Sequence, residues 1–372
     1  MTEIRILSSL DEIDAGQWNA CFPGEPEDYN YLRAVETSGL PGFTWQYLTA
    51  WEKGLLIAAI PAFFTNYSLD STLDGAGKKM TGAFRSIFPN LLTMKLACLG
   101  SPVTEYGLVG FHPAMTAEQR PSVLHDMMNV FEHHAAERGY SLVGIKDVPA
   151  VDDALWQQVV HPLGYRGVPG LPIARRKIDF STIDDYFKTL SYATRKNMRR
   201  KLRSFEDIRI EYRDNIDDIL DKVVALYHNT RGRAEMTLEE LTPKFFQNML
   251  AGLQGRSLCI LYFAGHELLA ANLLINNGHT LLDKFFCMDG EKGRKYNLYF
   301  LSWFTNIHYC LDHNLQCYQS GQAAYENKVK LGCKLARTTM YFKHRNRVIQ
   351  GALRLAAPFL AADNRPQEQG VA

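Results

Sequence analysis

The stretch SLCILYFAGHELLAANLLINNGHTLLDKFFCMDGEKGRKYNLYFLSWFTNIHYCLDHNLQCYQSGQAAYENKVKLGCKLARTTMYF, residues 257–342, decides the fold. SLCILYF (257–263) and LLAANLLINN (268–277) are apolar runs joined by AGHE, whose Gly265 supplies the positive φ of a tight hairpin. Gly278 breaks the second run, and HTLLDKFFCMD (279–289) is a third apolar segment, interrupted before its end only by Asp283 and Lys284. Three such segments on short turns predict an antiparallel meander. From Leu298 the period changes: Leu298, Leu301, Phe304, Ile307 and Leu311 recur at helical spacing, with Asn297 placed as N-cap. The loop and first turn of that helix offer unpaired backbone N–H groups to an anion. The short strand QCYQSG, the Lys-rich segment AAYENKVKLG and a terminal strand ARTTMYF follow.

Outward from this stretch, the 372 residues allow two domains, each large enough for its own core. A hydrophobic content of 46% and a charged content of 22% are ordinary for a globular protein. The net charge of +1 argues against a protein built to bind polyanions over its whole surface, although a local basic patch is compatible with it. The seven cysteines (21, 98, 259, 287, 310, 317, 333) form no CxxC pair, which predicts buried free thiols in a reducing compartment. MTEIRILSSLDEID carries no apolar signal core, and GLLIAAIPAFF (54–64) is too short to span a bilayer. No transmembrane segment and a cytoplasmic location are therefore expected. His279, His308 and His313 lack partners at metal-ligand spacing, so no metal site is expected.

The first half repeats the plan of the second in outline. EIDAGQWNACF and EDYNYLRAVETSG read as short helices, and 45–50 with 55–65 as a hairpin, followed by a loop-rich insertion at 66–79. HDMMNVFEHHAAERGYSLVGIKDV matches SWFTNIHYCLDHNLQCYQSGQA in kind, each an apolar helix, a polar cap and a short strand. Gly and Pro concentrate at 161–177, which sets the expected domains at 1–170 and 171–360, with a disordered polar tail at 361–372.

Just past that boundary, KTLSYATRKNMRRKLR (188–203) holds seven basic residues and no acidic one, with Leu190, Thr194, Met198, Leu202 and Phe205 on one face. Like charges at this spacing cost an isolated helix roughly 0.2–0.5 kcal/mol per pair. Two readings stay open: a solvated helix balanced by acids such as those of Glu239–Leu241, or a phosphate-binding face using the arginine fork.

The order of elements in 257–342 resembles the core of the GNAT acyltransferases, and GQAAYENKVKLG resembles the closing motif of their Fem-like, BioF2-like branch, with Lys328 followed four positions later by Gly332. Ser191 to Arg195, then Arg199 and Arg200, is similar to a further Fem-like pattern. The resemblance implies an α+β fold of two tandem GNAT-like domains, each a mainly antiparallel sheet flanked by helices, with catalysis in the second.

It also implies acyl transfer to an amine, which needs a neutral nucleophile, stabilisation of the carbonyl oxygen and a proton for the leaving group. Lys328 is the candidate for the developing negative charge or the donor phosphates, Tyr325 for protonating the leaving group, and Glu326 and Asp283 are candidate bases. Each has a structural alternative as a surface or packing residue. Gly293, Arg294, Lys295, Tyr296, Asn297 and Lys330 are candidate donor contacts, and Arg195, Arg199 and Arg200 candidate substrate contacts.

EKGRKYNL departs from the glycine-rich loop of acetyl-CoA-dependent GNAT enzymes, because Gly293 stands alone. The expected donor is an acyl thioester of CoA or acyl carrier protein, with aminoacyl-tRNA in a Fem-type peptidyl transfer as the alternative. The acceptor is an amine on an amino sugar, peptide or cell-envelope precursor. A rival of another class is a non-catalytic protein holding a nucleic acid or anionic glycan on the basic helix.

Overall fold

A computed structural model describes residues 2–68, 93–233, 238–353 and 355. Most of the insertion read at 66–79 and the tail read at 361–372 lie outside the described residues.

Two mixed sheets carry the chain. The first runs β1 (Glu3–Leu7), β2 (Phe43–Glu52), β3 (Leu55–Ser68), β4 (Thr93–Leu99), β6 (Leu142–Pro149), β15 (Thr338–His344), β7 (Arg166–Pro169), with β5 (Gly110–Phe111) paired to β3. The second runs β14 (Lys334–Ala336), β8 (Ile173–Lys177), β13 (Cys317–Gln319), β12 (Thr280–Met288), β11 (Glu267–Asn276), β10 (Ser257–Ala264), β9 (Arg209–Arg213). The helices are α1 (Ala15–Cys21), α2 (Tyr29–Glu36), α3 (Arg120–Glu137), α4 (Asp153–Val160), α5 (Ile183–Thr189), α6 (Tyr192–Lys201), α7 (Leu220–Arg231), α8 (Pro243–Gly252), α9 (Lys292–Lys295), α10 (Leu298–Asp312) and α11 (Tyr325–Lys330).

The meander forms as its sequence dictates. Ala264 pairs with Glu267 across a two-residue turn in which Gly265 has a φ of 59°, and β11 returns to β12 through Gly278 at 80°. The runs are apolar without alternation because both faces are covered. Cys259, Leu261 and Phe263 pack with Phe245 and Leu250 of α8, whereas Leu258, Ile260 and Tyr262 pack with Leu301 and Phe304 of α10. The first of these cores also takes in Trp18, Tyr31 and Val35, so α1, α2 and the second sheet share one interior.

The two sheets exchange strands. After β7 in the first sheet the chain crosses to β8 in the second, and after β14 in the second it crosses to β15, which lies between β6 and β7 in the first. The terminal strand of the opening stretch therefore does not close the sheet that precedes it. Periodicity reports that a segment is a strand and is silent on which sheet receives it.

Three local readings also change. The basic segment is two helices, because Leu190 is extended at ψ 154° and Ser191 caps α6, its hydroxyl accepting from the Thr194 N–H at 3.2 Å. Asn297 precedes α10 in the left-handed region at φ 54° and makes no side-chain cap. Glu239 lies among Lys146, Lys284 and Arg231, so the acids facing the basic segment are Asp184 and Asp185.

Each sheet holds one parallel pair, β4 with β6 and β12 with β13. The second pair is short. β12 meets β13 only from Thr280 to Leu282; then the Ser320 N–H donates to Ala174 O (2.9 Å) and the Ala174 N–H to Gly321 O (3.2 Å), so the chain leaves with β8. A bulge on β12 at the same level, where Leu273 faces Phe285 and Leu274 faces Asp283, makes Lys284 the extra residue.

Candidate active site

Asp283 is the first residue of β12 beyond its pairing with β13. Its Oδ2 accepts from the Tyr318 hydroxyl at 2.6 Å and from Asn306 Nδ2 at 3.3 Å, and Asn306 also donates to the Tyr318 oxygen at 2.9 Å. Burial raises the Asp283 carboxyl above its ordinary range, opposed by the Tyr318 hydrogen bond and by the charge of Lys328. Beside it the Tyr299 hydroxyl is buried without a hydrogen-bond partner among the described residues, as is Asn306 Oδ1.

Lys328 approaches from α11 and is only 6% exposed. Its ammonium donates to the carbonyl oxygen of Ser320 and, at 3.3 Å, to that of Gly321. Burial pulls its pKa down, while Asp283 and Glu105 pull it back up. The Lys-x-x-x-Gly spacing has a backbone cause. Gly332 sits at φ 85°, its N–H donates to Val329 O (2.9 Å), and the Cys333 N–H donates to Lys328 O (2.9 Å). That pair of bonds closes a helix on a left-handed residue and fixes the turn from which the lysine projects.

A residue from the first half of the chain completes the cluster. Glu105, in the segment joining β4 to β5, accepts from Gln319 Nε2 at 2.6 Å, and a Cβ on Gly321 would stand 3.4 Å from its other oxygen. Burial lifts its carboxyl to about 7, with Lys284 opposing. The Tyr325 hydroxyl is buried, has no hydrogen-bond partner among the described residues, and is held protonated by burial and by Asp147 and Glu105.

Of the residues expected from the sequence, Asp283 and Lys328 stand near enough to act on each other's charge beside the parting of β12 and β13, and Tyr325 stands near Glu105. Glu326 and Lys330 do not join them; they pair with each other at 2.5 Å on the exposed side of α11. Gly293 is buried against Met288, Arg294 and Lys295 are exposed, and Lys295 stands over the Tyr296 ring at 5.2 Å. The Asn297 carbonyl accepts from the Phe300 and Leu301 N–H groups, both at 3.0 Å, and so begins α10. On α6, Arg195 reaches Phe187 O at 3.5 Å, Arg199 is 62% exposed and 3.8 Å from Asp184, and Arg200 donates to Asn197. None of the three touches Asp283 or Lys328 among the described residues. The end of α6 instead reaches the head of α10, with Lys201 over the Phe300 ring at 3.5 Å.

Glu105, Asn306, Tyr318, Gln319 and Tyr299 were not anticipated. Asn306 had a signal, being polar within the apolar face of α10, and so did the polar side chains of the buried strand β13. Glu105 had none, because its role depends on contact across 214 residues. All seven cysteines are buried free thiols. Among the described residues no group of three His, Cys, Asp or Glu is arranged to hold a metal ion, and no helix is long and apolar enough to cross a membrane.

The profile of the FemAB-like family, described as peptidoglycan biosynthesis/recognition, matches residues 9–369. The chain belongs to the FemAB-like family. It is also similar to a putative 8-amino-7-oxononanoate synthase 2 of Mycobacterium tuberculosis, at 24% identity over 328 residues, covering 85% of this chain and 42% of that protein. The chain thus spans less than half the length of the curated relatives it matches. Among solved structures it resembles FemX (TM-score 0.56, 11% identity, 87% of this chain and 98% of that one). It also resembles a tandem GNAT protein from the clavulanic acid biosynthesis pathway (0.55, 11%, 93% and 99%). A third is the C-terminal domain of a putative lysylphosphatidylglycerol synthetase from Agrobacterium fabrum (0.53, 12%, 93% and 96%). At these identities the likeness shows the fold, which is the GNAT-like α+β fold with two mixed sheets.

Proposed function

We propose that this FemAB-like protein is an N-acyltransferase that moves an acyl group from a thioester of CoA or acyl carrier protein to an amine, with the reaction at the parting of β12 and β13. The observation that carries this reading is the cluster where two strands separate: Lys328 and Glu105, both buried, with the half-buried Asp283 and the buried Tyr325 hydroxyl beside them.

The chemistry follows from the groups. An ammonium has three protons, and Lys328 gives two to backbone carbonyls, which leaves one for an acyl oxygen as it gains charge. The amine nitrogen attacks the carbonyl carbon and passes its proton to Glu105, whose value near 7 suits a base at neutral pH. The carbon–sulfur bond breaks, the thiolate takes the Tyr325 proton, and Tyr325 recovers one from its neighbour Glu105. Asp283, already accepting from Tyr318 and Asn306, serves to keep Lys328 charged. Gly293 to Asn297 and Lys330 are assigned to the donor's phosphates, and Arg195, Arg199 and Arg200 to anionic groups of the substrates. The family's description favours a cell-envelope precursor as acceptor.

One observation favours a second reading, with aminoacyl-tRNA as donor: the exposed arginines of α6 stand beside the head of α10. The test offers acyl-CoAs, acyl carrier protein thioesters and charged tRNA to the full chain with amino-sugar and peptide amines, and identifies products by mass spectrometry. Transfer from thioesters supports the first reading, and transfer from charged tRNA alone the second. A Lys328→Met variant that folds and transfers at the wild-type rate defeats both.

A further inference from the structure

Lys284 neighbours Asp283 yet faces the other way, into the first half of the chain. Its side chain is 3% exposed, and its ammonium donates to Glu27 Oε1 at 2.6 Å and to Val103 O at 2.7 Å. The Tyr31 ring lies 5.1 Å from it, and the Tyr31 hydroxyl donates to the same Val103 carbonyl at 2.6 Å. The second oxygen of Glu27, itself 6% exposed, accepts from the Glu105 backbone N–H at 3.3 Å. The Glu105 carboxylate is in turn held by Gln319, which pairs with Leu282 as the last residue of β13 beside β12. The contacts close a ring: Lys284 on β12, Glu27, Glu105, Gln319 on β13, and back to β12 through Leu282. One strand at the parting holds the backbone of Glu105 through Glu27, and the other holds its carboxylate.

We infer that Lys284 and Glu27 form a positioning brace that fixes the first half's Glu105 over the parting of the second sheet and sets its charge. A buried ion pair is a weak source of stability, since both charges lose their hydration, so a specific geometric purpose accounts better for its presence. The inference rests on the reading of Glu105 as the proton acceptor. The groups around that carboxylate are Lys284 of β12, Glu27 and Tyr31 of the segment entering and forming α2, Gln319 of β13, Lys328 and Tyr325 of α11, and its own neighbour Tyr106. Lys284 is the strongest positive charge acting on it and Glu27 the strongest negative one, so their removal acts in opposite directions.

The experiment titrates Glu105 directly in the full chain, by carbon NMR of side-chain-labelled glutamate, with its signal assigned by loss in Glu105→Gln. Lys284→Met is expected to move the midpoint up by roughly one pH unit. Glu27→Gln is expected to move it down, and Lys284→Arg to leave it within about 0.3 unit of wild type, well inside the range of charge effects. The acid limb of kcat/KM moves with it in each variant. Should Lys284→Met not fold, Glu27→Gln carries a signed prediction by itself. Midpoints that stay put, or that move in one direction for both charge removals, overturn the brace. If Glu105→Gln instead retains full transfer, the base assignment fails while the titration still tests the brace.

Discussion

The two parallel pairs, β4 with β6 and β12 with β13, stand at matching places in the two sheets and have opposite fates. In the second sheet β12 runs on to Met288 past the parting point, and buried charged groups gather there. In the first, β4 stops at Leu99 and its own continuation, residues 100–107, folds across β6. The Gly107 N–H donates to Asp147 O (3.1 Å), Lys146 donates to Thr104 O (2.6 Å), and a Cβ on Gly107 would lie 1.7 Å from Lys146 O. The gap is filled by backbone so closely that only glycine fits. The same segment delivers Glu105 to the other gap. The two sheets thus treat the same feature differently: one gap is stopped with its own chain, and the stopper reaches into the other, where we propose the reaction.

The sharpest way to break this comparison is to neutralise the lysine at each gap. Lys328→Met is expected to lower the transfer rate by about a hundredfold or more, the scale of losing one donor to a developing oxyanion. Lys146→Met, which loses a bond to Thr104 O and an ion pair to Asp147, is expected to cost about 1–3 kcal/mol of stability and under tenfold in rate. Steady-state kinetics with urea melts separates them, and equal rate losses would mean the first gap is not merely structural.

Next in size, Gly107→Ala forces residue 107 and the Lys146 carbonyl of β6 apart and is expected to destabilise by about 1–3 kcal/mol. Because the same segment carries Glu105, kcat is expected to fall with it. A variant of wild-type stability would show that the stopper yields.

A pH comparison sharpens the contrast further. The Glu105 carboxyl sits at about 7 in the fold against an ordinary 4.5, so between these values the folded chain keeps a proton that the unfolded chain releases. Its contribution to stability is whole below about 4.5 and declines as pH rises toward 7. Glu25, likewise raised to about 7 by burial, adds a decline of the same sign. Denaturation midpoints across this window should therefore slope less in Glu105→Gln than in wild type. Parallel slopes would place the raised carboxyl elsewhere.

The smallest effect is expected at the exposed pair of α11. Lys330→Ala, losing one solvated ion pair, should change stability by under about 0.5 kcal/mol. A loss of donor affinity in this variant is the outcome expected of a contact to the donor's phosphates, and unchanged affinity would remove Lys330 from that role.

What the sequence made legible follows from the range of each signal. The meander and α10 were readable because apolar spacing over ten or more residues reports local geometry. Lys328 was readable from a motif whose glycine has a backbone reason. Asp283 was readable as a charge inside an apolar run. The break at Leu190 was missed because α5 and α6 carry one continuous apolar face across it. β1 was missed because five partly exposed residues make a weak pattern. Glu105 and the destination of β15 were illegible for a shared reason: each is settled by a partner far away in sequence.

The strand exchange has a mechanical meaning. β15 is held by hydrogen bonds along both of its edges, whereas β1 has a neighbour on one side only. Tension applied between them would peel β1 from its border pair by pair, but β15 would have to shear out of its slot with many bonds loaded at once. The chain passes from β15 back to the second sheet through a single residue, Arg337, so that β15 and β14 are joined almost without slack. The exchanged strand is thus a clasp that locks the end of the chain into the sheet formed by its beginning.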